Sequence, residues 1–96
     1  MTQTIRLVLR RAGAIILGML NTHELGVGRS NWKGPFPTGR NPWNLDHVTT
    51  GSSSGAGAAV AARLATGAIG TDTAGSVRLP AAHCGLTGLK PTFDRV

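Results

Sequence analysis

The chain has 96 residues, with ten Lys and Arg against four Asp and Glu, one Cys and no Tyr. That length allows one domain at most, and a single Cys excludes an internal disulfide framework or a cysteine-built zinc cluster. Hydrophobic residues make up 41%, too many for a disordered tail, yet twelve of them are Ala. Small side chains bury little area each, so at ~25 cal/mol per Å² the core is expected to be thin.

In chain order, Thr2 to Arg11 reads as the last turns of a helix, with Arg10 and Arg11 suited to its C-terminal end and Gly13 as its stop. Ala14 to Gly18 is a short β-branched run between glycines and reads as a buried parallel strand. Asn21-Thr22-His23-Glu24 has the chemistry of a turn or helix cap. Gly26 to Thr50 holds Pro35, Pro37, Pro42 and both Trp, with no apolar period, and reads as a long loop. Within it, Asn41-Pro42-Trp43-Asn44 is expected to turn and anchor the loop over Trp43, and Trp32 or Phe36 is a candidate substrate contact.

Gly51-Ser52-Ser53-Ser54-Gly55-Ala56-Gly57 has linker composition, but Ala58 to Ala65 after it is strong helix material, with Gly67 as a stop. The Gly/Ser run is therefore expected at a helix N-terminus, where free N–H groups favour negative charge. Ala68-Ile69-Gly70 reads as another buried strand, and Thr71 to Ser76 as a second Gly- and hydroxyl-rich loop. Val77 to Cys84 is expected to be a short helix containing Pro80. Gly85 to Leu89 is expected to be a strand edge, ended by Lys90-Pro91-Thr92. Alternating strands and helices of this kind indicate an α/β chain, the Gly- and Ala-rich centre of a larger fold. Cys84 reads as a small buried hydrophobe.

No apolar run approaches the ~20 residues of a membrane helix. The longest, Ala12 to Leu20, follows Arg6, Arg10 and Arg11 but lacks the apolar region and cleavage site of a secretory leader, so a cytoplasmic location and no membrane partner are expected. The net charge is +6, but Arg6, Arg10, Arg11, Arg29, Arg40, Arg63, Arg78 and Arg95 are scattered, so nucleic acid is not an expected partner. The charge is expected to be balanced elsewhere.

Two Gly-rich serine loops separated by one helix and one strand are expected to meet at one sheet edge, bringing Ser52–Ser54 near Ser76. A serine needs a base to become a nucleophile. His23, His47 and His83 each read as structural, and Ser76 has no Gly-x-Ser-x-Gly elbow. That leaves a serine relay ending in a lysine.

Three stretches carry a resemblance: Thr50 to Ala62, Gly70 to Ala82 and Gly85 to Thr92. Ahead of them stand Ala12 to Gly18, Asn21 to Leu25 and Gly39 to Asn44. Together they resemble the core of the amidase signature family over about residues 5 to 92. The resemblance implies a fragment of a mixed-sheet α/β/α fold, with residues 1–96 as a partial amidase domain. It implies hydrolysis of an amide, or release of ammonia from one for transfer to aminoacyl-tRNA. Ser76 matches the nucleophile and Ser52 the relay serine beside a cis peptide bond. The N–H groups of Thr73, Ala74, Gly75 and Ser76 match the oxyanion hole, and Ser53, Asp72 and Arg78 match bracing positions. The partner implied is a small amide substrate, with self-association or a complementing chain, and neither cofactor nor metal.

The chain departs from that pattern in its lysines. The family's base precedes the Ala12–Gly18 strand, and neither Lys33 nor Lys90 matches it. The chain by itself is thus expected to be inactive. Ala74 stands where Gly is usual, a cost of ~1–2 kcal/mol if the backbone there is left-handed. Two other readings compete. Gly55-Ala56-Gly57-Ala58-Ala59-Val60 imitates a dinucleotide fingerprint with Asp72 as its acid, although the strand before it is poor. The chain could also be a non-catalytic remnant that keeps the sequence without the activity.

Overall fold

The computed structural model describes residues 3–28, 31, 33 and 36–95; Arg29, Trp32 and Pro35 lie outside them. In chain order the described residues form α1 (Gln3–Arg11), a single 3-10 turn (Glu24–Gly26), β1 (Arg40–Asn41), β2 (Asn44–Val48), α2 (Ser54–Ala61) and α3 (Arg78–Cys84). The sheet is one antiparallel pair, with Asn41 opposite Asn44 and Arg40 opposite Val48. The mixed parallel sheet expected from the sequence is not present among the described residues.

The three helices end in the same way. At α1, Gly13 N–H donates to Arg10 O and Ala14 N–H to Leu9 O, with Gly13 at φ +86°. At α3, Gly85 N–H donates to Ala82 O and Leu86 N–H to Ala81 O, with Gly85 at φ +67°. At α2, Arg63 N–H donates to Val60 O and Leu64 N–H to Ala59 O, with Arg63 at φ +59°. Each is a pair of reversed bonds that satisfies the last carbonyls and needs one left-handed residue. Two ends use glycine for it. The third uses Arg63, so α2 stops before the expected Gly67.

The core is built from small residues. Ala59, Ala81 and Cys84 are its buried hydrophobic members, with Pro80, Thr49 and Ser54 also fully enclosed. α2 and α3 touch where Gly57 faces Pro80; a Cβ at Gly57 would lie 2.9 Å from the proline Cβ. Pro80 sits in the first turn of α3, where its missing N–H costs no helical bond.

The hairpin lies where the sequence indicated only loop. Its turn holds the C-terminal end of α3. Asn41 Nδ2 donates to His83 O at 2.8 Å and Trp43 Nε1 to Cys84 O at 2.8 Å. Trp43 is therefore a cap rather than a buried anchor, and its ring is mostly exposed.

The two runs expected to be buried strands, Ala14–Gly18 and Ala68–Gly70, and the strand edge expected at Gly85–Leu89 form no ladder. Ile15 is 86% exposed, Leu17 73% and Leu89 78%, and Ile69 is half exposed. Hydrophobic runs of this type settle as strands only between neighbouring strands. The described residues supply none for them. No described helix is long and apolar enough to cross a membrane.

Arg63→Gly is expected to raise stability by about 0.5–1 kcal/mol, because it removes the left-handed penalty of a side chain at an exposed helix end. A higher denaturation midpoint in urea would bear this out, and an unchanged or lower midpoint would refute it.

Candidate active site

The two serine loops meet. Ser53 N–H donates to Ser76 O at 3.2 Å. The Ser53 hydroxyl accepts from Thr71 N–H at 3.2 Å and lies 3.3 Å from Thr71 O, to which it donates. One buried serine thus joins both loops through main chain and side chain. The Gly51–Ser52 peptide is cis.

Ser52 is held by its carbonyl. That oxygen accepts from Thr22 Oγ1 at 2.8 Å, His23 N–H at 2.9 Å and Ser54 N–H at 2.8 Å. Its hydroxyl is buried and has no hydrogen-bond partner among the described residues, and the same is true of Ser54. A Cβ on Gly26 would lie 3.8 Å from Ser52 Oγ, which places that hydroxyl beside the 3-10 turn. The Ser52 and Ser76 hydroxyls make no hydrogen bond to one another in this structure. Lys90 Nζ donates to Pro91 O and Lys33 is exposed; neither amine bonds to Ser52 or Ser76.

The expected anion site at the start of α2 is not open. Ser53 and Ser54 N–H bond to Ser76 O and Ser52 O, and Gly55 N–H donates to Asn21 O at 2.9 Å. The chain's own carbonyls occupy the donors that an anion would use. A dinucleotide site fails for the same reason and for a second one. β2 belongs to an antiparallel hairpin and ends well before Gly55, and Asp72 is fully engaged elsewhere.

Asp72 organises the second loop. Its side chain is 3% exposed and its carboxylate takes Gly75 N–H at 2.7 Å, Val77 N–H at 3.2 Å and Arg78 N–H at 3.3 Å. Arg78 closes a two-pronged pair on it, Nε and Nη2 each at 3.0 Å. This fork matches a planar carboxylate and fixes its orientation. Of the four N–H groups assigned to an oxyanion hole by resemblance, that of Gly75 is occupied by Asp72. Those of Thr73, Ala74 and Ser76 have no acceptor among the described residues. Ala74 is outside the left-handed region and carries no such strain; Gly75, at φ +123°, takes that role.

The Arg78 guanidinium first, and the three backbone N–H groups after it, hold the Asp72 carboxyl far below the usual carboxylate range, against an opposing effect of burial. Arg78 is raised in turn by Asp72. Burial pushes the Cys84 thiol up, in line with an inert core residue.

The sequence reading missed His23 and Thr22. His23 reads as structural, with no place assigned to it by the sequence; its ring lies against Gly51, and its main-chain N–H holds Ser52. The polar run from Asn21 to Glu24 was the available signal, read only as a cap. His47 and His83 line a separate groove with Asn41, Asn44 and Val48.

The Asp72 pKa is lower folded than unfolded, so its contribution to stability is complete above about pH 4–5 and is lost as pH falls below that. Stability should therefore slope downward on acidification below about pH 4, and Asp72→Asn should flatten that slope. An identical acid slope in the variant would contradict this role.

The family model described as Amidase matches residues 4–96. Among similar proteins, a glutamyl-tRNA(Gln) amidotransferase component of Desulforapulum autotrophicum, its A-type subunit, is 57% identical over 89 residues, 93% of this chain and 18% of that protein. The same-named protein of Roseiflexus castenholzii is 58% identical over 88 residues, 92% of this chain and 18% of that protein. That of Geobacter metallireducens is 54% identical, again over 92% of this chain and 18% of the relative. The chain therefore spans about a fifth of the length of the curated relatives it matches. No solved structure matches it. With 93 of its residues under one family model, the chain belongs to the amidase family.

Proposed function

We propose that this chain is the catalytic core of an enzyme that cleaves an amide carbon–nitrogen bond, with Ser76 as nucleophile and Ser52 as proton relay. The junction of the two serine loops through Ser53 carries this reading, because it sets the nucleophile's loop against the relay's. Family membership supports it.

In the proposed reaction, Ser76 Oγ attacks the amide carbon and passes its proton through Ser52 Oγ to a base. The oxyanion is received by the open N–H groups of Thr73, Ala74 and Ser76. The C–N bond breaks and the nitrogen leaves with a proton, as ammonia from a primary amide. Water then releases the acyl group from Ser76. Ser53, Asp72 and Arg78 hold the loops and take no part in proton transfer. No cofactor is required.

Lys33 and Lys90 do not match the base, so it is proposed to come from a strand outside these 96 residues. On this reading the residues form a partial amidase domain that acts with a complementing chain, in the cytoplasm. The relatives are named as subunits of an amidotransferase. A glutamine-type primary amide, with the ammonia passed on, is thus the substrate class favoured over a free-acid product.

The test places this chain in the Desulforapulum autotrophicum relative in exchange for the 89 residues it matches, and follows amide turnover. Ser76→Ala should abolish turnover, and Ser52→Ala should lower kcat by about a hundred- to ten-thousandfold. Retained turnover in Ser76→Ala would reject the nucleophile. The isolated chain should show almost no hydrolysis of an aryl amide; robust hydrolysis would reject the missing base.

A further inference from the structure

We infer that His23 is a positioning residue for Ser52, acting through the flat face of its ring and through Thr38; the inference rests on the reading of Ser52 as relay. Three contacts carry it. The His23 ring covers Gly51, the residue before Ser52, so closely that a Cβ there would lie 2.8 Å from Nδ1. Its main-chain N–H donates to Ser52 O at 2.9 Å, in company with Thr22 Oγ1 at 2.8 Å. Its Nε2 also lies 3.4 Å from Thr38 Oγ1.

Thr38 is itself fixed. It is 6% exposed, its hydroxyl accepts from Asn31 N–H at 2.8 Å, and its N–H donates to Asn31 O at 2.7 Å. The ring is thereby held between a rigid hydroxyl and the glycine that leads into the relay serine. Among the described residues Ser52 Oγ has no hydrogen-bond partner, so no hydrogen bond there sets its direction. Its direction is set by the backbone, and His23 and Thr22 grip that backbone. Gly51 has no side chain to brace the peptide from within, and the imidazole provides the brace from outside.

The test is amide hydrogen exchange on the full chain, comparing His23→Ala, His23→Gln and Thr38→Val. The Ser53 and Ser54 amides, bonded to Ser76 O and Ser52 O, report the grip. The Ala81 amide, bonded to Val77 O inside α3, reports general stability. His23→Ala should speed exchange at Ser53 and Ser54 by about tenfold or more with Ala81 unchanged. Gln keeps a planar group and a nitrogen for Thr38, and should restore protection to within about threefold. Unchanged Ser53 and Ser54, equal acceleration at Ala81, or no rescue by Gln would overturn the proposal. Should His23→Ala not fold, Thr38→Val decides: faster exchange at Ser53 and Ser54 alone supports the proposal, and no change overturns it. The relay reading is judged separately, by turnover of Ser52→Ala, so a failure of the brace with the relay intact is told apart from a failure of the relay itself.

Discussion

Ser53, in the first serine loop, ties it to the second. Its N–H reaches the carbonyl of Ser76, and its hydroxyl both donates to and accepts from the backbone of Thr71. A buried hydroxyl that left either capacity unused would carry a desolvation penalty of about 1–3 kcal/mol. Here both are used, and both on the second loop. The constraint fixes which residues can lie near Ser76, and everything proposed for the site depends on it.

Around that tie the chain uses small residues where other domains use large ones. Gly57 lets α2 approach Pro80 of α3, and Gly51 lets the His23 ring lie on the backbone. Asp72 does for the second loop what Ser53 does between the loops. It gathers three N–H groups and a guanidinium onto one carboxylate, so the residues from 73 to 78 have little freedom left. The site is thus held mainly by hydrogen bonds to backbone, on a core of Ala, Pro and Cys too small to hold it by burial.

The parts legible in the sequence were those with local causes. The α1 end at Gly13 followed from glycine's freedom, and the helix expected from Val77 to Cys84, found as α3 (Arg78–Cys84), tolerates Pro80 because proline in a first turn breaks no bond. The meeting of the serine loops was expected from one helix and one strand between them; the loops meet although Ala68–Gly70 forms no strand. What escaped had non-local causes. The turn at Asn41–Asn44 was expected, but the strands paired around it were not, and its grip on the α3 carbonyls through Asn41 and Trp43 depends on a helix about 40 residues on. Arg63 ends α2 four residues before the glycine that seemed to be waiting for that role. The runs at Ala14–Gly18 and Ala68–Gly70 have strand composition but no neighbours among the described residues, and composition does not report neighbours. The polar run at Asn21–Glu24 marked His23 only as part of a cap, because its contacts with Thr38 and Gly51 join segments 15 and 28 residues away.

The most direct measurement is the proximity of the two loops in solution, by nuclear Overhauser contacts in the labelled chain. Contacts from the Ser53 β-protons to the Thr71 amide proton, and from the Ser53 amide proton to the Ser76 α-proton, are expected. Well-resolved signals for these protons with no cross-peak between them would mean that the loops lie apart, and neither the relay nor its brace would survive.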